Sequence, residues 1–414
     1  MFKIKKTLII ILILDIILLN FSIVFADDSI DDDKLDMEEI INASADITKE
    51  PEINSRAAII YDRKSKEIIW GKKENEKRKM ASTTKIMTAI IVLEKCNLND
   101  TVVVSKKAAG TGGSRLGLKV DNKVSVRDLL YGLLLVSGND AAVALAEHTA
   151  GNVEKFAKLM NDKAKELNLE NTNFVTPHGL DSEEHYTTAY ELAKMADYAL
   201  TNDTFAKIVN TKTYTVTISG NPKNLSNTNE LLGNLNGVNG VKTGFTNGAN
   251  RCLVTSVNRN NMNIITVVLG ADTKKFRTAD SVKLIEYAYL NYKNMEITNL
   301  INEKYASWKE LYENKIVVSK GTNKTIETRL EEIENKYITI KNGEEDDIYV
   351  QIDSIDSLEA PVEEELIIGK IKLFVNNEVK VTVNIVNSKT VEKMNILDYY
   401  KQLLTNNFEI MSTV

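Results

Sequence analysis

The run from Ser82 to Lys95 limits what this chain can fold into more than any other stretch. Ile86, Met87, Ile90, Ile91, Val92 and Leu93 put apolar side chains on nearly every face of a helix, and a helix that is apolar all round has to be enclosed by other elements. Suitable elements flank it. Upstream, Ala57–Tyr61 and Glu67–Trp70 read as two strands of a hairpin around the polar Asp62–Lys66 turn. Downstream, the pattern predicts helices at Val126–Val136, Ala141–Ala150, Val153–Leu167 and Ala189–Leu200. It then predicts strands at Thr213–Ile218, Gly240–Lys242, Cys252–Asn258 and Met262–Leu269, and a helix at Ala279–Tyr292. Strands, helices, strands and helix in that order describe an α/β (α+β) domain whose sheet is completed by both ends of the segment, around a helical block.

At 414 residues the chain exceeds one ordinary core, since domains run to about 100–200 residues. Beyond about Ile297 the pattern changes. Lys315–Val318, Tyr337–Ile340, Ile348–Ile352, Ile367–Phe374 and Val379–Ile385 are short alternating strands of a separate, small all-β module. The start is basic through Lys6, then apolar from Leu8 to Phe25, and closes on Val24-Phe25-Ala26, the plan of a secretory signal cleaved after Ala26. Its length also meets the requirement of a membrane span, but Asp15 near the middle disfavours that. Either way the remainder is expected outside the cytoplasm. Eight acidic residues between Asp27 and Glu39 read as a solvated tether. The expected division is a signal peptide at 1–26, an acidic linker at 27–51, the main domain at 52–294, the β-rich domain at 295–388 and an amphipathic helix at 389–414. A net charge of −6 gives no footprint for nucleic acid. The two cysteines, Cys96 and Cys252, lie among apolar neighbours and read as buried thiols rather than a disulfide framework.

Ser82 and Lys85 stand three residues apart, hence on one face of a helix. A serine hydroxyl is a weak nucleophile until a base takes its proton. Lysine serves as that base only when its pKa falls from about 10.4 toward 7 or 8, which requires desolvation and nearby positive charge. The helix amino terminus and the Ile86-Met87 flank supply such surroundings. Alone, this spacing is common and reads as a helix cap. Its company changes that: Ser137-Gly138-Asn139 occupies a tight turn between two helices, and Lys242-Thr243-Gly244 lies on a strand where glycine permits close approach to the backbone.

Three such triplets in this order form the set shared by penicillin-binding proteins and class A β-lactamases. The sequence resembles the serine D-alanyl-D-alanine carboxypeptidases, low-molecular-mass penicillin-binding proteins of the β-lactamase/transpeptidase-like superfamily. Gly113–Leu118, Val126–Ala146, Pro177–Asp181 and Gly240–Phe245 look like characteristic blocks of that family, and the likeness covers about Ile53–Tyr292. Ser-Gly-Asn in place of Ser-Asp-Asn is similar to the carboxypeptidases rather than the lactamases, and Met80 stands where many relatives have proline. The resemblance implies that Ser82 attacks the D-alanyl-D-alanine carbonyl, Lys85 accepts its proton and Ser137 relays a proton to the leaving D-alanine. It implies that Asn139 holds Lys85 and the substrate amide, that Lys242 and Thr243 meet the terminal carboxylate, and that the Ser82 and Phe245 N–H groups, beside Gly244, form the oxyanion hole. The implied partners are the peptidoglycan stem peptide ending in D-Ala-D-Ala and, as inhibitors, β-lactams, with no cofactor. For the tail, the resemblance implies peripheral membrane contact, although Lys393 and Lys401 against Glu392, Asp398 and Glu409 promise little attraction to anionic lipid.

Competing readings fit less well. His178 and His185 with the acids between them match no zinc spacing, so no metal is expected, and the segment reads as a loop framing the cleft. Gly110–Gly117 and Gly237–Thr243 lack what a phosphate-binding loop requires. A β-lactamase would need an efficient deacylating base, and no glutamate stands in a clear class A context. A non-catalytic penicillin sensor or wall scaffold is the remaining alternative, separated by release of free D-alanine.

Overall fold

The computed structural model describes residues 35–43, 49–402 and 404; the expected signal segment and the end of the tail lie outside them. The chain divides into two units. One runs to Tyr61 and from Ile68 to Ala288, and the other comprises Asp62–Glu67 and the chain from Tyr289.

In the first unit, Ala57–Asp62 (β1) and Ile68–Lys72 (β2) form the expected antiparallel hairpin, with Ile60 opposite Trp70. Thr101–Val103 (β3) pairs with Lys123–Ser125 (β4), and Thr213–Ile218 (β5) with Asn221–Ser226 (β6), as two short ribbons. Val238–Thr246 (β7), Asn250–Arg259 (β8) and Met262–Ala271 (β9) complete a five-stranded sheet in the order β2-β1-β9-β8-β7. The first hairpin therefore sits beside the last strand of the segment, and β7 is left at an edge. Every residue of β1 is buried, as are nearly all of β8 and β9, so the sheet is covered on both faces.

The chain from Ala81 to Thr84 is a single 3-10 turn that leads into the Lys85–Lys95 helix, whose first eight residues are all buried. Helices Val126–Leu134, Asn139–Ala150, Val153–Glu166 and Ala189–Ala199 contribute to one core with it, close to where the apolar periodicity places them. Ser125, Asn152 and Thr188 start three of these helices by accepting from the N–H groups of Asp128, Lys155 and Glu191, caps worth about 1 kcal/mol each. The β6 strand, Asn221-Pro-Lys-Asn-Leu-Ser226, was invisible to alternation because only Leu225 of it is buried.

The acidic linker is not wholly a solvated tether. Met37–Asn42 is helical, the Asp36 carboxylate accepts from the Glu39 N–H at 3.0 Å, and Ile40 is buried. Acidic side chains at a helix start favour the turn that self-repulsion alone argues against. Cys96 and Cys252 form no disulfide; Cys252 is buried, whereas Cys96 is only half-buried, with Sγ 3.2 Å from Thr149 Oγ1.

The second unit contains Tyr292–Glu296 (β10), Val317–Ser319 (β11), Thr328–Leu330 (β12), Tyr337–Lys341 (β13), Ile348–Ser354 (β14), Ser357–Glu359 (β15), Ile367–Val375 (β16) and Glu378–Asn387 (β17). Four of them form the sheet β12-β17-β16-β14, and β10–β13 and β11–β15 pair separately. The unit is β-rich as expected but not all-β. A helix at Thr298–Tyr312 sends Ile301 and Trp308 into the same core as Ile338, Ile371, Leu373 and Ile385. Its apolar face is thin and interrupted by charges, which hid it among the strands.

The tail differs from the expected helix over 389–414. Val391 is buried and bridges to Val362, so it belongs to the β structure, and the helical backbone begins only at 396. Ile396, Leu397, Tyr400 and Leu404 stand exposed along it. Among the described residues no helix is long and apolar enough to cross a membrane.

Candidate active site

The nucleophile candidate sits where the chain is forced to turn. Ala81 adopts φ 47°, a left-handed conformation that costs a non-glycine residue roughly 1–3 kcal/mol, and the 3-10 turn after it lifts half-buried Ser82 to the head of the interior helix. Thr83 and Thr84 fasten this turn through hydroxyl bonds to the carbonyls of Met80 and Ala81, at 2.6 and 2.7 Å.

Lys85 is fully buried. Its Nζ lies 2.8 Å from Ser82 Oγ, 2.7 Å from Asn139 Oδ1 and 2.9 Å from the His178 carbonyl oxygen. Asn139 Nδ2 donates to the Gly112 carbonyl at 2.8 Å, which fixes the amide so that its oxygen faces the lysine. Two of the three neighbours are therefore pure acceptors, and they consume both N–H bonds of a neutral amine. Its lone pair is left for the third, the serine hydroxyl. Burial first, and the Lys242 ammonium second, hold the Lys85 pKa well below the ordinary lysine value, against the opposing charge of Asp140.

Ser137 also adopts a left-handed conformation, φ 59°, in the turn before the Asn139–Ala150 helix. Its Oγ is buried without a hydrogen-bond partner among the described residues. A buried hydroxyl in that state marks a place where a ligand group completes the bonding. On the opposite side, Lys242 and Thr243 are buried on the edge strand β7. Lys242 Nζ donates to the Thr243 carbonyl at 2.9 Å, and the Thr243 hydroxyl pairs with that of Thr228 at 2.8 Å. Gly244 explains the last letter of its triplet: a Cβ there would come within 3.2 Å of the Ser82 N and the Met80 carbonyl oxygen. Glycine lets β7 pass directly against the nucleophile's turn without displacing it. Phe245 is half-buried, with the Arg251 guanidinium 3.8 Å from its ring centre.

The His178–His185 segment frames the cleft and is tied down at several points. The Asp181 carboxylate accepts from Thr246 Oγ1 at 2.6 Å and from the Gly248 N–H at 2.9 Å. Thr84 Oγ1 spends its proton on the Ala81 carbonyl, so it accepts from Nε2–H of His185 at 2.8 Å, while Nδ1 of that ring accepts from the Val175 N–H at 2.9 Å. Only the neutral imidazole meets both demands. Burial pushes its pKa down to about 4, against the opposing charge of Asp181, and that of His178 down to about 3. Among the described residues no group of three His, Cys, Asp or Glu side chains converges as a metal site would require.

A family model described as D-alanyl-D-alanine carboxypeptidase matches residues 27–273, well over half of the chain. The chain belongs to the D-alanyl-D-alanine carboxypeptidase family. A second model, the C-terminal domain of penicillin-binding protein 5, matches residues 308–393, within the β-rich unit. The carboxypeptidase DacF of Bacillus subtilis is 34% identical over 366 residues, 86% of this chain and 91% of that one. DacA of Haemophilus influenzae is 32% identical over 78% of this chain and 81% of its own length. Penicillin-binding protein 5 of Haemophilus influenzae superposes with a TM-score of 0.71 at 28% identity, over 83% of this chain and 99% of the other. The Streptomyces K15 DD-transpeptidase superposes with a TM-score of 0.56 at 34% identity, over 58% of this chain and 99% of its own. The family's two-part architecture and its superfamily fold are thus those expected from the sequence.

Sequence reasoning missed three contributors. The His178 carbonyl acts through its backbone and leaves no side-chain signal. Thr228 lies outside every triplet. Asp140, in the middle of the recognised block, is fully buried although charged, and a carboxylate one residue past the asparagine was the clue to its importance.

The neutral His185 makes the first unit sensitive to acid. A folded-state pKa near 4 lies below the ordinary value of about 6.5, so between those values the unfolded chain binds more protons and stability is lost as pH falls. Urea unfolding of the wild type and His185→Gln from pH 7 to pH 4 is expected to show the wild type losing stability relative to the variant. A pH-independent difference contradicts this reading.

Proposed function

We propose that the protein works as a serine D-alanyl-D-alanine carboxypeptidase through the Ser82–Lys85 pair. The observation that carries this is the buried Lys85 Nζ within hydrogen-bond distance of Ser82 Oγ, Asn139 Oδ1 and the His178 carbonyl oxygen; a neutral amine there donates to the last two and turns its lone pair to the serine hydroxyl. Ser82 Oγ bonds to the carbonyl carbon of the penultimate D-alanine as its proton passes to Lys85. The tetrahedral oxyanion is held by the N–H groups of Ser82 and Phe245, each such donor worth about 2.7–4 kcal/mol. The closeness of Gly244 to the Ser82 nitrogen and the edge position of β7 support that arrangement. Collapse breaks the C–N bond, and the proton travels by way of the unpartnered Ser137 hydroxyl to the leaving amine. Lys242 and Thr243 hold the free carboxylate of the stem peptide, and Asn139 holds its amide. Water then cleaves the acyl ester, returning the proton to Ser82 and releasing the shortened stem.

A β-lactam mimics the substrate amide and halts at the ester, which makes it an inhibitor. Peptidoglycan lies outside the cytoplasm, in keeping with the basic and apolar start and its Val24-Phe25-Ala26 ending. No group in this scheme requires a cofactor.

The tail provides peripheral membrane contact. Ile396, Leu397, Tyr400 and Leu404 are exposed, Ile396 at 90%, and with nearly balanced charge around them the apolar side chains supply the attraction.

Labelling, product release and fractionation test these assignments. Wild-type protein is expected to take up a fluorescent penicillin and to release D-alanine from a peptide ending in D-Ala-D-Ala. Ser82→Ala loses both, and Lys85→Met slows acylation by on the order of 10²-fold or more. Labelling of Ser82→Ala at the wild-type level overturns the nucleophile assignment, and many turnovers of a chromogenic cephalosporin make the protein a β-lactamase instead. Truncation before Ile396 is expected to shift the exported protein out of the membrane fraction, and an unchanged distribution refutes tail contact.

A further inference from the structure

We infer that Asp140 is a positioning residue for the base, one that folds the 112–118 loop onto the start of the Asn139–Ala150 helix and so fixes which end of the Asn139 amide faces Lys85. The inference rests on Lys85 acting as the base.

The Asp140 side chain is fully buried and its hydrogen-bonding capacity is filled by backbone. Oδ1 accepts from the N–H groups of Leu116 at 2.7 Å and Ala141 at 2.9 Å, and Oδ2 from those of Gly117 at 2.8 Å and Leu118 at 2.9 Å. Arg115 Nε stands 3.8 Å away. Three consecutive N–H groups of a distant loop thus converge on one carboxylate. The same loop offers its carbonyls to the neighbouring residue: Ser114 O accepts from the Asn139 N–H and Gly112 O from Asn139 Nδ2, both at 2.8 Å. Without Gly112 O in place, nothing requires the amide oxygen, rather than its NH₂, to point at Lys85.

This arrangement also accounts for glycine in the middle of the Ser137-Gly138-Asn139 triplet. A Cβ on Gly138 would lie 3.0 Å from both Asp140 Oδ1 and the Leu116 N, and 3.2 Å from the Gly132 carbonyl oxygen. Asp140 draws the loop so close that a side chain there would have to push it away by a few tenths of an ångström.

Asp140 has a second, electrostatic effect. The charged and titratable groups facing Lys85 are Lys242 from β7, Asp140 from the helix, and the imidazoles of His178 and His185 from the cleft loop. Asp140 is the negative one among them, and it opposes the lowering of the lysine pKa by burial and by Lys242. Removing its charge leaves Lys85 neutral down to a lower pH.

The test is the pH dependence of acylation by a fluorescent penicillin, with active sites counted by label stoichiometry and folding checked by thermal melting. Asp140→Asn is expected to slow acylation by on the order of 10- to 100-fold, the scale of a displaced catalytic group, and to move the acid limb of the rate profile to lower pH. Gly138→Ala, at φ −57° and so free of backbone strain, presses the loop away while keeping the charge. It is expected to slow acylation with the acid limb unmoved. A folded Asp140→Asn protein that acylates at the wild-type rate, or whose acid limb stays in place, overturns the inference. If Asp140→Asn does not fold, Gly138→Ala decides alone: slower acylation in a folded protein supports the inference, and wild-type acylation overturns it. Failure of the wild type to label at all would count against the proposed function instead.

Discussion

The catalytic unit depends on one amine with three oxygen neighbours. Lys85 Nζ reaches Ser82, Asn139 and the His178 carbonyl at hydrogen-bond distance in a place with no exposure to water. A charged ammonium there would carry a large desolvation cost, and a neutral amine can satisfy all three contacts only by accepting a hydrogen bond from the serine hydroxyl. Burial therefore does chemical work: the same enclosure that packs Ile86 and Met87 into the core disfavours the charged form of the amine and lowers its pKa. The second lysine, Lys242, pushes in the same direction from β7.

Much of the surrounding architecture serves to hold those neighbours still. The five-stranded sheet places β7 at its edge, where a strand is free to face a cleft, and Gly244 allows it to touch the nucleophile's turn. Two non-glycine residues in left-handed conformations, Ala81 and Ser137, stand at the two serine-bearing turns. Strain of this kind persists where the surroundings over-determine it. Hydroxyl ties from Thr83 and Thr84 and the helix beginning at Asn139 supply that restraint. Of the three elements that carry the triplets, one is a turn at a helix head, one a turn between helices and one a strand, so the site exists only when the whole unit is folded.

The interior helix, the hairpin and the order of strands and helices could be read from the sequence because each carries a strong apolar period. The family triplets then gave the site residues their roles. What escaped notice lacked those signals. The Thr298–Tyr312 helix hides its two buried anchors, Ile301 and Trp308, among charges, and the Met37–Asn42 turn is set by a single capping aspartate within an acidic run. In the site, the side chains of Ser82, Lys85 and Asn139 come together, the Phe245 ring packs under Arg251, and Thr243 engages Thr228. Side-chain partners of that sort depend on which residues the fold brings opposite one another, and spacing along the chain does not encode it. The backbone carbonyl of His178 is invisible to any reading by residue type.

The central claim, that Lys85 is a neutral base in the resting protein, can be measured on the amine itself. With lysine carrying ¹³C at Cε, and Lys85→Met used to assign its resonance, the chemical shift is followed from acid to alkaline pH. Lys85 is expected to titrate well below free lysine side chains, whose ordinary value is about 10.4. A Lys85 signal that titrates with them would contradict the account, because an ammonium at neutral pH has no lone pair to accept the serine proton.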